Sequence, residues 1–347
     1  MNAPICFFVP AHLLAHIARV EARDTLEPGP AQRTALLSQH LRDQRRRQLP
    51  GVVALTAATL TTPPPASAGR IVYDDQNTWK TDVNEVRGEG EDETEAQNVN
   101  LAYDWLGATR DFYREVLGRN SIDNAGLDLD ANVNYGVDFD NAFWDGKRMV
   151  FGNGDNVIFK DFTGDLDVPA HEMTHGVTQF TAGLNYGNDQ TGALNEAFSD
   201  MMGTAVDAWF NKKDAGAHDF LIGEGVMADQ LFGEAIRNMA EPGTAYDDPV
   251  LGVDPQPRNM SGYVQNGDPH VNSGIPNRWF YLVCTEIGIN DTAVVMYQTL
   301  QNLWPTAQFR DAAEVAAFQA RILARDKKVP FHAAQVVRAA AREQGML

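Results

Sequence analysis

From Val168 onward apolar residues recur every three to four positions, which predicts helices over 168–183, 192–211, 228–240, 273–287, 291–303, 311–324 and 330–343. Upstream the pattern is mixed. Leu101, Trp105, Ala108, Phe112 and Val116 fall at helical spacing, and Gly118 follows as a stop. The stretch ANVNYGVDFDNAFWDGKRMVFGNGD, residues 131–155, instead separates aromatic and β-branched residues by Asn, Asp and Gly, which predicts short strands and turns. Residues 1–47 read as mostly helical. VVALTAATLTTPPPASAG, residues 52–69, carries little pattern and reads as a linker. The expected division is a leader over 1–50, a linker over 51–69 and a folded body from Arg70.

Composition narrows the classes. The chain has 347 residues, 44% apolar and 9% aromatic, with no apolar run long enough for a membrane span, so a soluble globular protein is expected. The formal net charge of −19 argues against nucleic acid and anionic membranes as partners. The leader is the exception. It holds seven arginines against four acids, a balance of +3 that leaves −22 on the rest, so it could dock on the body or simply be solvated. Its start, MNAPICFFVPAHLLAHIARV, lacks a basic head and is broken by Pro10, His12 and His16, unlike a signal peptide. Cys6 and Cys284 make neither a disulfide framework nor a cysteine metal cluster.

The chemistry starts at VPAHEMTHGV. His171 and His175 are four apart, so on a helix both rings leave one face. Glu172 is offset by about 100° and reaches beside a shared ligand rather than under it. Two imidazoles with an adjacent free carboxylate suit a zinc hydrolase. His12 and His16 share the spacing without the Glu or a nearby acidic ligand, and read as a plain amphipathic helix. Glu196 and Asp200 are also four apart. Glu196 can complete a His₂Glu site with one open position, and Asp200 can take the second N–H of a ligating imidazole.

HEMTHGVTQFTAGLNY followed by GALNEAFSD resembles the thermolysin-like neutral metalloproteases, and NAFWDG, GNGD, AIRNM and HVNSGIPN extend the resemblance from about Arg70 to the end. It implies an α+β fold of two lobes with zinc between them: a β-rich lobe over 70–183 that includes the zinc helix, and a mainly helical lobe over 184–347. It implies one zinc on His171, His175 and Glu196, with Glu172 as general base and Tyr186 and His270 as oxyanion donors. Relatives often carry an Asp where Gln265 stands; here Asp268 is expected to pair with His270 instead. Asn141, Ala142 and Trp144 match the edge strand that holds substrate extended, and Arg237 the group that grips the carbonyl beyond the cut. Phe159, Phe162, Val168, Ile222 and Ile236 match the pocket for the residue after the cut, which implies cleavage before Leu, Phe, Ile or Val. Asp167, Asp207, Asp219 and Glu224 match calcium positions. Leu221 replaces an acid there and Asp207 is shorter than the usual Glu, so one calcium is expected, against a reading as scattered surface acids.

The leader resembles the short inhibitory propeptide of the protealysin-like branch, with Val9-Pro10-Ala11 expected across the cleft and Cys6 either idle or a zinc ligand. The expectation is a secreted, monomeric zinc endopeptidase acting on proteins and peptides, synthesised as a zymogen with its own leader as inhibitor and then autoprocessed. Without a signal peptide, cytoplasmic action stays open. An aminopeptidase of the same lineage would need a trap for a free amino terminus, and an inactive peptide-binding homologue would be expected to have lost Glu172 or a ligand.

Overall fold

The computed structural model describes residues 5–22, 28–47, 68–231 and 235–347. Of the linker expected over 51–69, residues 51–67 lie outside these residues. Among them, no helix is long and apolar enough to cross a membrane. The leader supplies β1 (Cys6–Phe7), α1 (Ala11–Glu21) and α2 (Pro30–Arg47). The first lobe follows with β2 (Arg70–Asp74), β3 (Asn84–Gly88), α3 (Gln97–Glu115), β4 (Leu129–Val133), β5 (Ala142–Trp144), β6 (Met149–Phe151) and α4 (Asp167–Gln179). Next come α5 (Gln190–Phe210), the two-residue strands β7 (Leu221–Ile222), β8 (Arg237–Asn238), β9 (Asp247–Asp248) and β10 (Gly252–Val253), and then α6 (Pro269–Asn272). The chain closes with α7 (Gly274–Ile287), α8 (Ile289–Leu300), α9 (Phe309–Arg325) and α10 (Ala333–Glu343). The expected α+β architecture, a β-rich lobe joined to a helical one, is present.

The main sheet has the order β1-β5-β6-β4-β2-β3. β5 and β6 form an antiparallel hairpin because Asp145 Oδ1 accepts Lys147 N at 2.8 Å and Arg148 N at 2.9 Å, and Gly146 takes φ +97°. That turn leaves β5 an open edge, and leader strand β1 fills it antiparallel, Cys6 opposite Trp144 and Phe7 opposite Phe143. The alternation of β1 then splits its side chains. Phe7 joins Tyr135, Phe139, Phe143 and Val150 in a small core on one face, covered by Leu37 and Leu41 of α2. Phe8, with Leu13, Leu14 and Ile17 of α1, enters the main core.

α4 is buried from Asp167 to Thr178 and α5 at most of its positions, which makes them the central pair of the molecule. α4 lies close against the sheet because Gly176 carries no Cβ: one built there would sit 2.9 Å from Ile122 and 3.1 Å from Trp144. Trp279 Nε1 donates to Val337 O at 3.1 Å and ties α7 to α10.

Two readings of the pattern need correction. The helix expected over 228–240 is absent from its described residues; Ile236 N donates to Ile222 O and Met239 N to Phe220 O, so the segment is extended beside β7. Ile236 and Met239 are buried, as helical spacing would also require, but by strand pairing. For α3, the helix is real and its buried face is shifted: Val99, Ala102, Tyr103 and Leu106 are buried with Ala108 and Phe112, while Leu101, Trp105 and Val116 lie at the margin.

Candidate metal centre and cleft

α4 and α5 carry the centre between them. His171 Nε2 lies 3.0 Å from His175 Nε2 and 3.3 Å from Glu196 Oε2, and His175 Nε2 lies 3.7 Å from Glu196 Oε1. Ligand atoms about 2.0–2.2 Å from one tetrahedral zinc stand roughly 3.3–3.6 Å apart, so this triangle fits the ion. Glu196 Oε2 is buried with no hydrogen-bond partner, as expected of an oxygen reserved for a cation. His171, His175 and Glu196 are the one such group among the described residues. Cys6 is buried and outside it, so its reading as a ligand is not supported.

Each imidazole is held from behind. His171 Nδ1 faces Asp200 Oδ1 at 2.8 Å, and His175 Nδ1 faces Asn195 Oδ1 at 2.9 Å, which turns both Nε2 atoms toward the metal position. Asp200 also receives Arg237 Nε at 2.9 Å and Nη2 at 2.8 Å, and Asn277 Nδ2 at 2.8 Å. Burial opposes the charge on Asp200, but Arg237 and His171 overcome it and hold its carboxyl at about 2. One carboxylate therefore positions a metal ligand and a cleft arginine together. Asn195 went unread in the sequence because it adjoins Glu196 and carries no charge. Asn195→Ala should weaken zinc binding about 10–100-fold, measured by competition with a chromophoric chelator; unchanged affinity would assign Asn195 to packing alone.

Glu172 is fully buried and neither of its oxygens has a hydrogen-bond partner. Burial pushes its carboxyl up to about 8, with Glu196 adding to the rise and His171 opposing it. Around the same point stand Tyr186, whose hydroxyl donates to Glu196 Oε1, and His270, whose Nε2 lies 3.2 Å from Glu196 Oε2. His270 Nδ1 meets Asp268 Oδ1 at 2.7 Å, as expected for a chain with Gln265 in place of an acid. Burial works against ionised Asp268, yet His270 outweighs it and keeps that carboxyl at about 2.

The cleft holds the leader. Phe8 N donates to Ala142 O at 3.0 Å, and Val9 N to Asn141 Oδ1 at 2.7 Å. Arg237 Nη1 donates to Phe8 O at 2.9 Å, and His270 Nε2 lies 2.6 Å from Phe7 O. The Phe8 ring stands edge-on to His171 at 5.1 Å and to Phe162 at 6.5 Å, with Arg237 4.7 Å from its centre. Phe159, Val168, Ile222 and Ile236 are buried in the core that takes Phe8. Gly223, missed in the sequence, makes the pocket wall: a Cβ there would lie 3.0 Å from the Phe8 ring, and its φ is +71°. Trp144 is buried, with its Nε1 donating to Gln179 Oε1 at 2.9 Å. The inserted segment is Cys6–Val9, which corrects the expectation of Val9-Pro10-Ala11; Pro10 caps α1 and Ala11 begins it.

A second acidic site lies beyond α5. Asp165, Asp167, Asp207, Asp219 and Glu224 line a cavity of about 200 Å³ with Lys213 and His218. Asp167 Oδ1 is buried without a partner, and burial with the charge of Asp165 raises the Asp167 carboxyl well above its ordinary value. Asp207 is already engaged: Asn211 Nδ2 reaches its Oδ1 at 2.7 Å, and His218 Nε2 and Lys213 Nζ its Oδ2 at 3.1 and 3.8 Å. Asp165 was not read as a member of this group from the sequence.

Residues 35–179 match the thermolysin metallopeptidase catalytic domain, and residues 182–345 match its alpha-helical domain. An extracellular metalloprotease of Pectobacterium carotovorum subsp. carotovorum is 41% identical over 298 residues, 83% of this chain and 81% of that protein. Thermolysin of Alicyclobacillus acidocaldarius is 38% identical over 219 residues, covering 60% of this chain and 38% of that protein. Among solved structures, the precursor of protealysin, a metalloproteinase from Serratia proteamaculans, superposes with TM-score 0.84 at 37% identity, over 99% of this chain and 100% of that one. Together with the metal triangle and the buried Glu172, these matches show that the chain belongs to the thermolysin family of metallopeptidases, which are zinc endopeptidases.

Proposed function

We propose that this endopeptidase cuts before bulky apolar residues, and that its own leader, residues 1–50, keeps it inactive by lying in the cleft as a substrate would. The observation that carries the reading is the register of Cys6–Val9. An extended segment meets the edge strand through Ala142 and Asn141, Arg237 grips the carbonyl of Phe8, and Phe7 presents its carbonyl to His270. By that register the Phe7–Phe8 peptide stands at the scissile position and the Phe8 ring fills the pocket for the residue after the cut.

His171, His175 and Glu196 would hold the zinc, which when bound would supply Lewis-acid polarisation and acidify a water enough to react near neutral pH. Glu172 takes the proton of the attacking water and passes it to the leaving amine. His270 and Tyr186 donate to the developing oxyanion, and Asp268 orients His270. Asn141, Ala142 and Arg237 hold the backbone straight across the bond. Removal of the leader within 51–69 would open the cleft and leave the two lobes, 70–183 and 184–347, as a monomer. The relative named an extracellular metalloprotease supports action outside the cell. Profiling the leader-free enzyme on a peptide library tests specificity: cuts should fall before Phe, Leu, Ile or Val, and cuts before charged residues would overturn the assignment.

We also assign one calcium to the acidic cavity, on Asp165, Asp167, Asp219 and Glu224, with the expected ligand Asp207 held instead by Asn211, His218 and Lys213. Hard oxygen donors suit that ion, and the unpartnered Asp167 oxygen supports it. Calcium at about 100 times its dissociation constant should stabilise by about 2.7 kcal/mol, a rise in Tm of about 4 °C. Asp167→Asn should abolish the rise in a thermal melt; an equal rise in the variant would place calcium elsewhere.

A further inference from the structure

We infer that docking of the leader on the body is linked to protons through Glu21 and Asp140, so that rising pH loosens the leader from the cleft. Both carboxyls lie where α1 and α2 meet the loop before β5. Asp140 is fully buried; its N–H donates to Thr34 Oγ1 of α2 at 3.1 Å, its Oδ1 accepts Asp155 N at 2.9 Å, and its Oδ2 has no partner. Glu21 ends α1. Its Oε1 accepts Ala31 N at 3.3 Å and its buried Oε2 also has no partner, packed where a Cβ on Gly29 would stand 2.2 Å away. The charged groups facing Asp140 are Asp155, Glu21 and Asp138; those facing Glu21 are Asp155 and Arg33. Arg33, the base of the group, already bonds Asp138 at 3.2 Å and Pro28 O at 2.9 Å. Docking thus brings a leader acid against two body acids with two oxygens unpaired, a position that a carboxyl occupies more readily than a carboxylate.

Burial raises both groups, Asp140 well above its ordinary value with Asp155 adding to the rise, and Glu21 against the opposing pull of the Ala31 and Gln32 backbone N–H groups and of Arg33. The docked state therefore binds more protons than the undocked one. Docking is strongest below the ordinary carboxylate pKa and weakens as pH climbs through the raised values. His12 acts in the opposite sense: burial lowers it to about 4 beside the Tyr246 hydroxyl, so it penalises docking only in acid. His12→Gln in the test protein removes it.

This inference takes its regulatory meaning from the leader reading, but its test does not depend on catalysis. In full-length protein carrying Glu172→Ala and His12→Gln, hydrogen exchange over 11–21 and 30–43, corrected for intrinsic rate, should lose protection as pH rises from about 5 to 9.5, about tenfold for each unit by which docking raises a carboxyl, while α5 stays constant. Adding Glu21→Gln, which leaves the body untouched, should flatten the profile, and Asp140→Asn should do the same. A leader protected equally at every pH, or a profile unchanged by Glu21→Gln, would overturn the latch while leaving cleft occupancy intact. A leader unprotected at every pH would overturn both.

Discussion

Glu172→Gln should lower kcat/KM of the leader-free enzyme by about 10³-fold or more while leaving one zinc per chain. General acid–base groups contribute about 10²–10⁴-fold, and here one carboxylate serves both proton transfers. Glu172 is not among the three converging ligand residues, so its loss should spare the metal. It is fully buried without a hydrogen-bond partner, so the isosteric amide should cost little stability. Metal analysis and steady-state kinetics on the same sample separate the outcomes. Activity within tenfold of wild type would move the base to another group. Loss of zinc would make Glu172 part of the metal site.

The second large effect concerns Phe8. Full-length protein with Phe8→Asp should cleave peptides without losing its leader, at about 10²-fold or more the rate of the uncut parent. A buried Phe side chain contributes about 1.5–3 kcal/mol relative to an exposed one, and a carboxylate in the same pocket costs more, since Arg237 beside it is already paired with Asp200. Burst-free initial rates on a short quenched peptide, with intact mass recorded at each time, check that the leader is still attached. Silence of the uncut variant would mean that α1, α2 and β1 hold the block without the pocket.

The metal site was legible because helix geometry converts spacing into direction. His171 with His175, and Glu196 with Asp200, each lie four apart, and α4 and α5 turn both pairs toward one point. Asn195 and Gly223 were not legible, since a neutral amide beside Glu196 and a glycine after Ile222 have no pattern of their own. The leader strand escaped for a different reason. Two residues, Cys6 and Phe7, form a strand only because β5 offers Trp144 and Phe143 as partners far along the chain, and no local period records that. The extended stretch around Arg237 was lost to the same ambiguity, because buried Ile236 and Met239 suit a helix as well as a strand beside β7.

The most direct test is a zinc titration of metal-free protein whose leader has been removed by a cut within 51–69. Hydrolysis of a quenched peptide with Phe after its single susceptible bond should rise linearly and saturate at one zinc per chain, with the new amino terminus at Phe. Full hydrolysis without zinc, or none with one zinc bound, would contradict the account.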